Sequence, residues 1–216
     1  MGKRVNTGLL FAGGAVAAYF AVLRDWHMHW GATEQEVTGE VVGDDLLPNA
    51  NIVATRAIQI DAPPSAIWPW LVQMGPGRGG AYTYDWIERR LGIDIRNTDR
   101  IIPELQNLKA GDDIPMPGYS MRVERLDTER AMVIRSSNHA WVWALELRPV
   151  TGGTRLISRN RFDTAALPVK DLLAYPVIEP GSWLMERKML LTIKQRAERL
   201  AQTKAAGLST SQGSGH

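Results

Sequence analysis

The residues of this chain whose types and spacing could do chemistry are aromatic rings rather than nucleophiles. Strict alternation over residues 139–148 places Trp141, Trp143, Leu145 and Leu147 on one face of a strand. Ala140, Val142, Ala144, Glu146 and Arg148 fall on the other. Large flat rings two residues apart on an inward face either line an apolar cavity or fill the core beneath a covering element. Asn160, flanked by Arg159 and Arg161 in a later strand, could add a polar group to the same space. Arg78 stands in Gly75-Pro76-Gly77-Arg78-Gly79-Gly80. That run is no phosphate cradle: the Lys-Ser/Thr pair is missing and the segment follows a helix, not a strand. Its glycines suit a tight turn, leaving Arg78 to pair with Asp85 or Glu88, or to meet an acidic head at a cavity mouth. Trp68, Tyr82, Tyr84 and Trp183 complete the candidate cavity residues.

Patterns for catalysis are absent. The adjacent carboxylates Asp44-Asp45 and Asp112-Asp113 sit in loops and do not form an opposed acid/base pair. No G-x-S-x-G, H-E-x-x-H or Ser/His/Asp pattern occurs. His27 and His29, two apart, would face opposite sides of a helix, and His139 lies near a turn. With no cysteine, disulfides, thiolate zinc sites and a Cys nucleophile are excluded. The sequence therefore implies no catalytic residue, no metal and no cofactor, and leans away from an enzyme. Net charge is +2, from 25 basic and 23 acidic residues, and no Lys/Arg run forms a nucleic-acid stripe.

Residues 5–23 carry no charge. At ~1.5 Å per residue such a helix spans roughly the 30 Å of a bilayer core. Lys3 and Arg4 precede it, Arg24-Asp25 end it, and Trp26 and Trp30 suit the headgroup level. The alternatives are a signal peptide cleaved near Ala15-Val16-Ala17 and a buried core helix. The expectation is one uncleaved N-terminal transmembrane helix. The leading basic residues favour a cytoplasmic start and an extracytoplasmic domain.

The remaining elements must position the aromatic set. Residues 31–50, acidic and Gly-punctuated, read as a linker or wrapping arm whose carboxylates stay solvated. A β-branched strand is predicted at 52–60, with Asp61 as N-cap of a helix at 65–74. A second short helix follows at 84–91 and ends at Gly92. Residues 97–114 read as a long connection, then strands at 120–126, 131–135, 139–148 and 155–162. Pro180-Gly181 should open a helix at 182–201 with Trp183, Leu190, Ile193, Ala197 and Leu200 on one stripe. The domain plan is an anchor at 1–30, a linker at 31–50, a folded unit at 51–202 and a disordered tail at 203–216.

This order makes an α+β architecture: an antiparallel sheet curled around one long C-terminal helix, the helix-grip arrangement. The stretch ATRAIQIDAPPSAIWPWLVQMGPGRGGAYTYDWIERRLG, continued by DRIIPELQNLKAGDDIPM, resembles the SRPBCC superfamily, also called START-like or polyketide-cyclase-like. The Gly-Arg-Gly-Gly and Tyr-Thr-Tyr-Asp segments are similar to an uncharacterised bacterial branch, in which an aromatic residue usually stands at the position of Ala81. The resemblance implies the fold and a pocket for lipids, sterols, polyketides or other apolar molecules. It transfers no chemistry. The leading expectation is a membrane-tethered binder of a lipid or other hydrophobic small molecule. The alternatives are a cyclase- or hydrolase-like enzyme on the same fold, and an accessory subunit of a membrane complex.

Overall fold

The computed structural model describes residues 23–90, 96–166 and 169–212. The uncharged run expected to be an anchor lies outside them except for Leu23, as does Gly92. Among the described residues no helix is long and apolar enough to cross a membrane.

Two short helices, α1 (Arg24–Met28) and α2 (Glu34–Thr38), come first. Strand β1 (Ile52–Ile60), α3 (Pro64–Val72) and α4 (Asp85–Arg90) follow. Then come β2 (Asp113–Met116), β3 (Tyr119–Asp127), β4 (Ala131–Ser136), β5 (Trp141–Val150) and β6 (Gly153–Phe162). The last element is α5 (Val169–Gln212). The strands form one six-stranded sheet in the order β1-β6-β5-β4-β3-β2. Every pairing is antiparallel. The closing of β1 onto β6 brings the two ends of the domain together in a helix-grip-like arrangement.

Alternation divides the sheet into two apolar layers. On the concave side Ile60, Met132, Ile134, Leu145, Leu147 and Leu156 pack against Ile67, Leu71, Met189, Leu190, Ile193 and Ala197 of the helices. On the convex side Ala57, Val133, Val142, Ala144 and Ile157 form a second, smaller cluster with Val41. That face of β5 is thus covered rather than solvated.

The cover is the acidic segment. Thr33 and Glu36 close a capping box at the start of α2, and the Glu36 carboxylate receives Arg155 Nε at 2.7 Å. Asp44 Oδ2 accepts from Arg159 Nη1 at 2.6 Å, and Arg161 Nη1 reaches its other oxygen at 3.3 Å. Asp45 and Arg125 pair through both carboxylate oxygens. The expected solvation holds for Glu34, Glu40 and Asp45, which are exposed, and fails for Glu36 and Asp44 for a simple reason. The outward positions 155, 159 and 161 of β6 are arginines, with Ile157 between the first two, and buried guanidinium groups need acidic partners. Glu36 is 8% exposed and Arg159 3%.

Other local expectations are corrected. The connection at 97–114 ends in an edge strand, β2, whose Pro115 is tolerated at the sheet margin. Asp61 is not a cap: Pro63 holds that position, and the Asp61 N–H goes to Glu198 Oε1 at 2.9 Å. The final helix starts at Val169, before Pro180-Gly181, and runs through the segment expected to be a disordered tail as far as Gln212. Each proline removes one N–H donor without ending the helix.

Candidate functional site

A cavity of about 390 Å³ lies between the concave face of the sheet and α5. A smaller one of about 70 Å³ adjoins it, with Ala81, Trp141, Trp143 and Met189 lining both. The smaller cavity is walled by methionines 74, 116, 121 and 132 with Ile114 and Ile134. Unbranched thioethers adapt to irregular shapes, so this end can yield to a ligand's apolar body.

Cross-strand register builds the floor of the larger cavity. Arg56 of β1 stands opposite Ser158 of β6, and Asn160 lies between Ala54 and Trp143. Arg56 is 2% exposed and Ser158 fully buried. From α5, Glu186 descends onto them: its carboxylate accepts from Arg56 Nη1, from Ser158 Oγ at 2.6 Å and from Asn160 Nδ2 at 3.1 Å. The indole Nε1 of Trp143 donates to Ser158 Oγ at 2.8 Å, and that of Trp141 to Asn160 Oδ1 at 2.9 Å. The two indoles are stacked with centroids 5.9 Å apart, and Phe162 stacks on Trp141 at 5.5 Å. Their polar edges are turned into this network and their faces wall the cavity, an arrangement that satisfies each buried N–H.

A second ionic group ties the floor to α1. Arg56 Nε donates to the His27 carbonyl at 2.9 Å. Glu179 accepts Arg24 Nη2 at 2.9 Å and lies 3.6 Å from His27 Nε2. Burial pushes the His27 imidazole below the ordinary histidine pKa, against the pull of the Glu179 carboxylate.

The structure sorts the predicted residues clearly. Trp141, Trp143 and Asn160 line the cavity. Trp68 is half-buried and packs against the core, outside the lining of either cavity. Tyr82 is 1% exposed in the core, with φ +60°. Its hydroxyl donates to the Trp70 carbonyl at 2.9 Å, and Arg196 lies 4.5 Å over its ring. Burial pushes its hydroxyl up to about 12. Tyr84 stands outside the cavity lining with Lys188 over its ring at 5.8 Å. Among the described residues Arg78 has no bond to Asp85 and lines neither of these two cavities; the Glu88 side chain lies outside the described residues. Arg78 donates to the Val72 and Leu105 carbonyls at 2.8 and 3.3 Å, and so clamps the glycine-rich loop. Trp183 packs on Trp26, with centroids 5.1 Å apart, and among the described residues its buried Nε1 has no partner. Trp26 is exposed. Trp30 falls beyond the end of α1 rather than on one helix face with Trp26, and its ring lies against the core beneath Arg187 at 5.3 Å. Arg159 and Arg161 point to the convex side, away from the cavity, where they hold Asp44. Among the described residues no cluster of three or more His, Asp or Glu could hold a metal.

Sequence reasoning missed Arg56, Ser158, Glu179 and Glu186. The signal was present: Arg56 interrupts an apolar strand, and Glu186 falls on the apolar stripe of α5 that contains Trp183 and Leu190. A charge on an inward face, repeated on the element that covers it, marks a buried pair.

No family model matches the chain, and no curated protein matches it. Solved structures do. The chain is similar to a structural-genomics protein from Mesorhizobium loti, with 16% identity, a TM-score of 0.41, and 68% of this chain and 98% of that one covered. It is similar to an AHSA1-like protein from Aeromonas hydrophila at 12% identity and TM-score 0.37, covering 73% and 95% of the two chains. A polyketide-cyclase-like protein from Corynebacterium glutamicum shows 14% identity and TM-score 0.32, over 72% and 93%. These are distant likenesses in fold and carry no activity across.

Proposed function

We propose that this protein binds a hydrophobic small molecule, such as a lipid, between its sheet and α5, and that residues 5–23 tether it to a membrane. The observation that carries the binding reading is the cavity of about 390 Å³. It is walled by aromatic and methionine side chains and provided with one compact polar floor, the composition typical of small-molecule sites. The tether rests on the uncharged run alone, and would keep the cavity beside the bilayer in which such a ligand dissolves.

Gentle purification followed by native mass spectrometry tests the binding reading. The expected result is an added mass that solvent extraction removes and that returns when the extract is added back. A protein that never carries or regains such a mass contradicts it. For the tether, the full chain should stay in the membrane pellet through an alkaline wash, whereas a chain starting at Arg24 should not. Equal release of both refutes the tether and leaves the cavity untouched.

A further inference from the structure

The polar floor is incomplete in one direction. Arg56 Nε is taken by the His27 carbonyl and Nη1 by Glu186, while among the described residues Nη2 has no hydrogen-bond partner. Arg56 lines the cavity and is only 2% exposed. Nη2 is not one of the sealed, unpartnered atoms of the fold and so opens on the cavity, where a ligand oxygen could accept from it as a charge-assisted hydrogen bond. The neighbouring indoles offer only their faces, because their N–H groups already serve Ser158 and Asn160.

Charge decides which kind of oxygen. The cation on the floor, Arg56, is already paired with Glu186. A second carboxylate, Glu179, also lines the cavity and is paired with Arg24. An anionic ligand would therefore lie against two carboxylates, and among the described lining residues the one cation is already paired. A neutral acceptor meets no such repulsion.

Building on the proposed binding role, we infer that the ligand is an apolar molecule with a neutral carbonyl-type oxygen (ketone, ester or amide), and that this oxygen accepts a hydrogen bond from Arg56 Nη2. The carbonyl sets the ligand's orientation, and the stacked Trp141 and Trp143 flank its apolar body.

Three probes of similar size test this by calorimetric titration: 2-propionylnaphthalene, 2-propylnaphthalene and 2-naphthylacetate. The ketone should bind at least about tenfold more tightly than either of the others, equivalent to ~1.4 kcal/mol. In the paired variant Arg56→Met/Glu186→Met, which removes both charges and leaves neither buried alone, the ketone's advantage over 2-propylnaphthalene should vanish. The readout there is the ratio of the two affinities, whatever the hydrocarbon's own affinity becomes. Equal binding of ketone and hydrocarbon by the unaltered protein overturns the acceptor assignment while sparing the cavity. Tightest binding by the carboxylate overturns the requirement for a neutral group. Failure of all three probes to bind rejects the cavity as a binding site, and this inference with it.

Discussion

Replacing Glu186 with methionine isolates the interaction on which the site is built. The carboxylate accepts from Arg56, Ser158 and Asn160, and both ionic partners are buried, at 2% and 9% exposure. In Glu186→Met the Arg56 charge keeps its bond to the His27 carbonyl but loses its counter-ion. Breaking a buried pair from one side costs about 3–5 kcal/mol. A domain of this kind is stable by about 5–15 kcal/mol, so the variant should lose about a fifth of its stability or more. Urea unfolding followed by tryptophan emission reads this as a lower midpoint with an unchanged slope. The paired variant Arg56→Met/Glu186→Met should recover most of the loss, because apolar replacement of both partners is often neutral or better. A cost below about 1 kcal/mol for Glu186→Met, or strictly additive effects in the cycle, would show that α5 does not seat its carboxylate on β1 and β6.

Three other outcomes follow from the geometry. Ala81 lines both cavities, so Ala81→Trp crowds a bound ligand and should weaken binding of 2-propylnaphthalene about tenfold while the urea midpoint moves less than it does in Glu186→Met; unchanged affinity would place the ligand elsewhere. Asp44→Ala removes the carboxylate partner of buried Arg159, which keeps its bonds to Thr55 and to the Glu36, Val37 and Gly39 carbonyls, and should cost about 1–3 kcal/mol, with faster amide exchange around residues 39–47 as the local signature. His27, its pKa held down by burial, makes stability depend on pH: below the ordinary histidine value of about 6.5 the unfolded chain takes up a proton that the folded one refuses. Stability should therefore fall as pH drops through that range, and His27→Gln should flatten this part of the urea-midpoint profile. An identical profile in the variant would rule His27 out as the source.

Much of the fold is readable without coordinates because period and punctuation agree. Residues 52–60 are β-branched and stopped by Asp61-Ala62-Pro63-Pro64, and the spacing Trp183, Leu190, Ile193, Ala197 defines the buried face of α5. The inward placement of Trp141 and Trp143 follows from alternation alone. What stayed hidden depends on distant partners. Arg56 reads as a lone charge in a strand until Glu186, far along the chain, is set above it. Glu36 and Asp44 read as solvated until the outward arginines of β6 are placed beneath them. Tyr82 and Arg78 mislead in the opposite sense. Both sit in a glycine-rich loop that looks like a ligand loop, yet one is sealed in the core by its hydroxyl's bond to Trp70 and the other is spent on backbone carbonyls. Local pattern gives the faces of the elements; it does not give the pairing of charges across them.

The claim that a ligand enters between sheet and α5 is tested most directly by methionine methyl resonances. The larger cavity is lined by Met28, Met185 and Met189 and the smaller by methionines 74, 116, 121 and 132 as well as Met189, whereas Met1 lies outside the described residues. On titration with 2-propionylnaphthalene into the methyl-labelled full chain, Met185 and Met189 should shift most and show contacts to the naphthyl ring. Saturable binding with these two methyl groups unmoved would contradict the account.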